Sequence, residues 1–99
     1  MITLIAEHWG DKESVARGME AFKNNSAKLK QTKGFVSRQV IRSLIDPYKY
    51  TTITTFSTKE AYEEFMKGVR ERGAQRVKDG VPPVFRGEKL EGHEVLLSD

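Results

Sequence analysis

The chain has 99 residues, no cysteine, and 17 Lys and Arg against 14 Asp and Glu, a formal net charge of +3. These numbers exclude disulfides, thiolate metal sites and a cysteine nucleophile, and so small an excess of interspersed positive charge argues against a nucleic-acid partner. No stretch approaches the roughly 18 apolar residues of a membrane span, so no membrane partner is expected and the expected location is the cytoplasm.

Residues 1–99 read as one domain in the order strand, helix, strand, strand, helix, strand. Ile2, Leu4 and Ala6 alternate with Thr3, Ile5 and Glu7, which predicts a first strand over Ile2–Trp9. Gly10-Asp11 then turns the chain, with Asp11 as N-cap of a helix running towards Lys33 on the stripe Val15, Met19, Phe22, Ser26 and Leu29. Gly34 suits the left-handed position that ends such a helix. Asn24, Asn25 and Ser26 are weak helix formers, and a loosened or bent segment is expected there. From Phe35 to about Ile45 the β-branched content rises again; Asp46-Pro47-Tyr48-Lys49 is a proline-preset turn, and Tyr50 to Phe56 forms the return strand of a hairpin.

Ser57-Thr58-Lys59-Glu60 has the form of a capping box opening a second helix, whose stripe is Tyr62, Phe65, Met66 and Val69 and which Gly73 would end or interrupt. A long connection follows with Gly80, Pro82, Pro83 and Gly87, and Leu90 to Leu97 closes the sheet, with Gly92 marking a bulge or a close approach. The βαββαβ order selects an α+β, ferredoxin-like sandwich with both helices on one sheet face. On the first strand Ile2, Leu4 and Ala6 point one way while Ile5 and Trp9 point the other, and two helices cover only one side. A contiguous bare apolar face is uncommon on monomers, so a homodimer is expected. A domain of this size also buries only about 60–65% of the surface its unfolded chain exposes, which favours association.

Four pieces spread along the chain carry a resemblance: Met1-Ile2-Thr3-Leu4-Ile5-Ala6, Gly34-Phe35-Val36-Ser37, Phe56-Ser57-Thr58-Lys59-Glu60-Ala61 and His93-Glu94-Val95-Leu96. In these the chain resembles the antibiotic biosynthesis monooxygenase superfamily of dimeric α+β barrels. The resemblance implies a homodimer whose sheets pack into a barrel, and a pocket in each subunit between sheet and helices for a small aromatic or apolar ligand. Family members include cofactor-free monooxygenases acting on aromatic polyketides or quinols, haem-degrading enzymes, and proteins of no known activity. Thr54-Thr55-Phe56 stands where many members have Glu-Arg-Trp, and Phe65 where many have a histidine. Haem-degrading members carry an asparagine near Ala6 and a histidine ligand on a helix; both helices here lack histidine, so the resemblance points away from haem and no cofactor is expected.

His8 and His93 are the only histidines, near the ends of the first and last strands, and are the candidate catalytic bases. A neutral imidazole on the Ala6 face would take a proton from a phenol or quinol near neutral pH; a strand-end histidine bonded to backbone or water is the bland alternative. No acidic residue completes a metal-ligand spacing around them. Candidate substrate-binding residues are Trp9, by stacking or through its indole N–H; Tyr50, Thr52, Thr54 and Phe56, which alternate onto one strand face; and Tyr62, Phe65 and Met66 as the opposite wall, with interface packing (Trp9) and helix–sheet core (Phe65, Met66) as competing roles. Arg38 and Arg42 share a strand face and would hold an anion, face solvent or form ion pairs across a dimer edge. The run Lys67, Arg70, Arg72, Arg76 and Lys78 either complements the end of the second helix or marks an anionic partner. Phosphate loops, nucleophile elbows and dinucleotide fingerprints are missing. The chain therefore reads as a cofactor-independent monooxygenase for a small aromatic substrate or, alternatively, as a binding or sensing barrel without catalysis.

Overall fold

The computed structural model describes all of residues 1–99. Strand β1 (Ile2–Trp9) is followed by helix α1 (Ser14–Leu29), strands β2 (Phe35–Arg42) and β3 (Lys49–Phe56), helix α2 (Lys59–Lys78) and strand β4 (Gly87–Glu94). The four strands form one antiparallel sheet in the order β2-β3-β1-β4, the ferredoxin-like arrangement. α1 packs on β2 and α2 on β1 and β3. No helix is long and apolar enough to cross a membrane.

Local chemistry explains each boundary. Asp11 Oδ1 accepts from the amides of Glu13 and Ser14, both at 3.0 Å, while Ser14 Oγ accepts from the Asp11 amide at 2.8 Å, so Asp11 closes the turn that leads into α1. The N-cap position itself is Glu13, whose side chain makes no capping bond. α1 runs unbroken through Asn24-Asn25-Ser26 and stops at Leu29, four residues before Lys33; Gly34, at φ +87°, makes the turn into β2. The expected cap of α2 shifts by one residue: Thr58, not Ser57, is extended and accepts from the Ala61 amide at 3.1 Å. Gly73 does not end α2. The stop comes at Gly80, φ +70°, where the Val81 and Gly80 amides reach back to the Arg76 and Val77 carbonyls in a Schellman motif. In the hairpin the Lys49 amide closes the Asp46-Pro47 turn on the Asp46 carbonyl at 3.1 Å.

β4 is the largest departure. It starts at Gly87, three residues before Leu90, and ends at Glu94, so Glu88 pairs opposite His8, Leu90 opposite Ala6 and Gly92 opposite Leu4. Of the two roles open to Gly92, the structure shows close approach: its pairing with β1 is regular, and a Cβ there would lie 2.4 Å from Tyr62 Oη.

Period-two alternation sends Leu4, Ala6 and His8, and Tyr50, Thr52, Thr54 and Phe56, to the helix side, where all seven are buried. Their neighbours Thr3, Ile5, Glu7 and Trp9 face the other way and are only partly covered. The helix-side core is divided. One cluster joins Leu4, Leu29 and Phe56 to Phe35, Tyr62, Phe65, Met66 and Leu90; the other joins Phe22, Tyr50 and Phe85 to Val15, Met19, Val40 and Val84.

The tight seat of Tyr62 over Gly92 makes the two positions interdependent. Gly92→Ala is expected to lower stability by about 1–3 kcal/mol in the wild-type background and by much less in a Tyr62→Ala background. A double-mutant cycle from chemical denaturation should give a coupling of at least about 0.5 kcal/mol; additive effects would contradict the packing described.

Candidate functional site

Between the two core clusters the helix side of the sheet is lined by small side chains. Ala6 on β1 is flanked by Thr52 on β3, with Thr54 two positions along, and α2 contributes Gly73 above them. The result is a cavity of about 280 Å³, bounded by Leu4, Phe65 and Leu90 at one end and by Phe22 and His8 at the other, with Asn25, Arg38, Val69, Arg72, Arg76 and Glu88 completing the wall. A Cβ at Gly73 would meet nothing within 4 Å, which is why the space reaches α2.

His8 is the most strongly placed ionisable group in it. The residue is 8% exposed, and its ring packs against the stacked pair of Phe22 and Phe85, with centroids 5.2 and 5.0 Å away. Its Nδ1 is 2.8 Å from Glu88 Oε2. A carboxylate only accepts, so Nδ1 carries the proton, and in the neutral ring Nε2 holds the free lone pair. Nε2 is buried and has no protein partner. Phe85, from the connection after α2, is brought this close because Gly10 and Gly18 leave room for its ring: a Cβ at Gly18 would lie 2.6 Å from Phe85 Cζ.

On the opposite wall Arg38 reaches in from β2. Its Nη1 donates to Ser26 Oγ at 3.1 Å, its Cζ sits 6.0 Å from the Phe22 ring centroid, and its Nε is buried without a protein partner. Burial pushes the Arg38 guanidinium pKa below its ordinary value, because desolvation disfavours the charged form.

Of the candidate residues read from the sequence, the cavity brings together His8, Thr52, Thr54 and Phe65. Trp9 and His93 are placed on the far face of the sheet and line no part of it: Trp9 is odd-numbered on β1, and His93 pairs with Thr3, which is also odd. Trp9 instead holds the Lys49 ammonium 5.3 Å from its ring centroid. Tyr50, Phe56, Tyr62 and Met66 are on the expected side but are spent in the two core clusters. The residues that sequence reasoning missed are Glu88, Asn25 and Gly73; Arg38, Arg72 and Arg76 were noticed without being placed together.

This architecture has known counterparts. Residues 1–77 match the antibiotic biosynthesis monooxygenase family. The chain belongs to that family. Solved structures of similar fold include a heme-degrader, MhuD, from Mycobacterium tuberculosis, with two hemes in its active site (19% identity, 100% of this chain and 99% of that one, TM-score 0.75). A candidate antibiotic biosynthesis monooxygenase from Deinococcus radiodurans is also similar (13% identity, 100% and 96% coverage, TM-score 0.80). So is SnoaB, a cofactor-independent oxygenase from Streptomyces nogalater (13% identity, 98% and 94% coverage, TM-score 0.74). No curated protein sequence matches the chain. At these identities the structures speak for the fold. The family match ends before β4, so Glu88 lies outside it.

Because Gly73 is a helical glycine facing open space, Gly73→Ala should raise stability by about 0.5–1 kcal/mol. Thermal and chemical denaturation check this; a loss of stability would mean that the position is packed.

Proposed function

We propose that the chain is a homodimeric, cofactor-independent monooxygenase acting on a small hydroxyaromatic substrate, with His8 as general base. The observation that carries this reading is the His8–Glu88 pair, which leaves a buried, unpartnered Nε2 on a residue that lines the cavity. An electron-rich phenol or quinol brings its own reducing electrons. Transfer of its hydroxyl proton to Nε2 leaves a phenolate able to reduce O2; one oxygen atom bonds to a ring-system carbon and the other leaves as water, taking two protons, while the substrate is oxidised. Glu88 supports this by holding the tautomer and by stabilising the imidazolium formed, and the burial of His8 strengthens both interactions. Thr52, Thr54 and Phe65 shape the floor and one wall. The residues present do not fit a haem: neither helix has a histidine to serve as ligand to the iron.

Oxygen uptake with a panel of quinols and anthrones tests the assignment. His8→Ala should lower kcat by about 10²–10⁴-fold, Glu88→Ala by less, and His93→Ala by nothing measurable, each variant being checked for folding. Full activity in His8→Ala would remove the base. Binding of these compounds with no turnover by the wild type would leave a binding barrel in place of the oxygenase.

The homodimer rests on the uncovered sheet face. Ile5 pairs with Ile53 at its centre, with Trp9 on the same face at the end of β1 and Ile41 46% exposed on β2. In the single chain only 13 of 99 residues are buried, so a second sheet over this face supplies core that the subunit lacks. Sedimentation equilibrium at micromolar concentration should give twice the 11.3 kDa chain mass, and Ile53→Lys should shift it towards one chain. A monomeric wild type would overturn the interface.

A further inference from the structure

Three arginines meet at the cavity from two elements: Arg38 from β2, and Arg72 and Arg76 from α2. None lies within 4.0 Å of a carboxylate; the ion pairs of the chain join His8 to Glu88, Lys49 to Glu7 and Lys59 to Glu63. The one acidic group in the wall, Glu88, is engaged by His8. Complementing a helix end accounts for Arg76 and Lys78, which are in the last turn of α2, but not for Arg72, a turn earlier, or for Arg38, which is on a strand.

Arg38 gives the sharper clue. Nη1 is used by Ser26, while the edge formed by Nε and Nη2 makes no hydrogen bond within the protein, and its Nε is buried. Two parallel N–H groups on one edge of a guanidinium are the geometry that receives a carboxylate in bidentate fashion. A half-buried guanidinium whose buried Nε has neither counter-ion nor acceptor is costly unless something arrives to meet it. Phe22 links this edge to the base: its ring centroid is 5.2 Å from that of His8 and 6.0 Å from Arg38 Cζ, which bounds their separation at about 11 Å, the sum of the two. The cavity, about 280 Å³, is at the lower end of the roughly 300–1,000 Å³ typical of small-ligand sites. A flat compound of one or two rings fits both the span and the volume.

We infer that the ligand of this cavity is a small hydroxyaromatic carboxylate, its hydroxyl directed to His8 Nε2 and its carboxylate clamped by the Nε–Nη2 edge of Arg38, with Arg72 and Arg76 adding positive charge at the mouth. This rests on reading the cavity as the ligand site and adds the anionic group to it. The clamp orients the ring between its two polar ends and keeps the hydroxyl, not the carboxylate, at the base. Neutral polycyclic quinols lack the group that Arg38 is built to receive.

Calorimetric titration with hydroxynaphthoate, with naphthol as the neutral match and naphthyl phosphate as a tetrahedral anion, tests the inference. Hydroxynaphthoate should bind the wild type about 10-fold or more tightly than naphthol. Arg38→Met, which keeps an unbranched stem, should abolish that preference without changing naphthol affinity, and the exposed Arg72→Gln should reduce it partially. If Arg38→Met is poorly folded, Arg72→Gln together with Arg76→Gln at low and high salt must still show the preference shrinking. Equal affinity for the two naphthalene compounds, or an undiminished preference in these variants, would overturn the clamp while leaving His8 as base untouched. Tighter binding of naphthyl phosphate would overturn the choice of carboxylate. A carboxylate preference with no oxygen uptake would support the clamp and remove the oxygenase; absence of binding by all three compounds would remove the ligand site and the clamp together.

Discussion

The antiparallel register of β1 between β3 and β4 is the constraint on which the cavity and the uncovered apolar face both depend. Because side chains alternate, a slip of one residue would carry His8 to the uncovered face and Trp9 into the cavity. Pairing on both sides prevents that: Ile2 to Trp9 are matched residue for residue with Phe56 to Lys49 and with Glu94 to Gly87. The same register sets Glu88 beside His8 and Gly92 beneath Tyr62. One alignment therefore decides where His8 points, what orients it, and which apolar residues are left on the uncovered face.

Within that frame the cavity is a consequence of side-chain size. Large residues gather at the two ends of the helix side, around Phe56 and around Phe22 with Phe85, and the short Ala6, Thr52 and Thr54 lie between them. Bulkier residues in the middle would have merged the clusters and gained burial at about 25 cal/mol per Å². The chain also keeps His8 Nε2 and Arg38 Nε buried without protein partners, at a cost on the order of 1–3 kcal/mol each. Against a total stability of about 5–15 kcal/mol for a domain, such concessions are sizeable. They concentrate in one place, on two residues that line the same cavity.

Much of the fold was legible because alternation and helical spacing agree with the structure over long runs. β1 keeps its predicted bounds, β3 begins one residue early, and the even positions of both strands face the helices as their apolar pattern implies. What was not legible depends on pairing or chain stops with weak local signals. Gly-Glu-Lys-Leu-Glu-Gly has no strand composition; it becomes β4 because β1 offers an open edge, and with the strand start unread the His8–Glu88 pair could not be seen. Gly73 and Gly80 each look able to end a helix, and only Gly80 adopts the left-handed conformation with its amide reaching back. Trp9 and His93 seemed candidates because aromatic and imidazole groups suit chemistry, yet parity alone sends both to the other face. Arg38 was visible as one of a pair on β2; that its helix-side position is half-buried follows from the curl of α1 over β2, where Ser26 meets it.

The unequal support of α2 connects the cavity to access. Its first half is anchored through Ala61, Tyr62, Phe65 and Met66 to the cluster around Phe56, whereas no residue of the helix is fully buried and the stretch carrying Arg72, Gly73 and Arg76 stands over empty space. Stability is lowest where apolar contacts are few and the backbone is solvated, so this second half is the wall with least holding it closed. A ligand reaching Arg72 or Arg76 would bridge α2 to the sheet through Arg38 and supply there the cross-contacts that the side chains do not make with one another. Binding energy is then divided between holding the ligand and ordering the helix end. The Schellman stop at Gly80 matters for the same reason: it secures the carbonyls of Arg76 and Val77 without a packed side chain, and so lets a weakly packed helix persist as far as the cavity mouth.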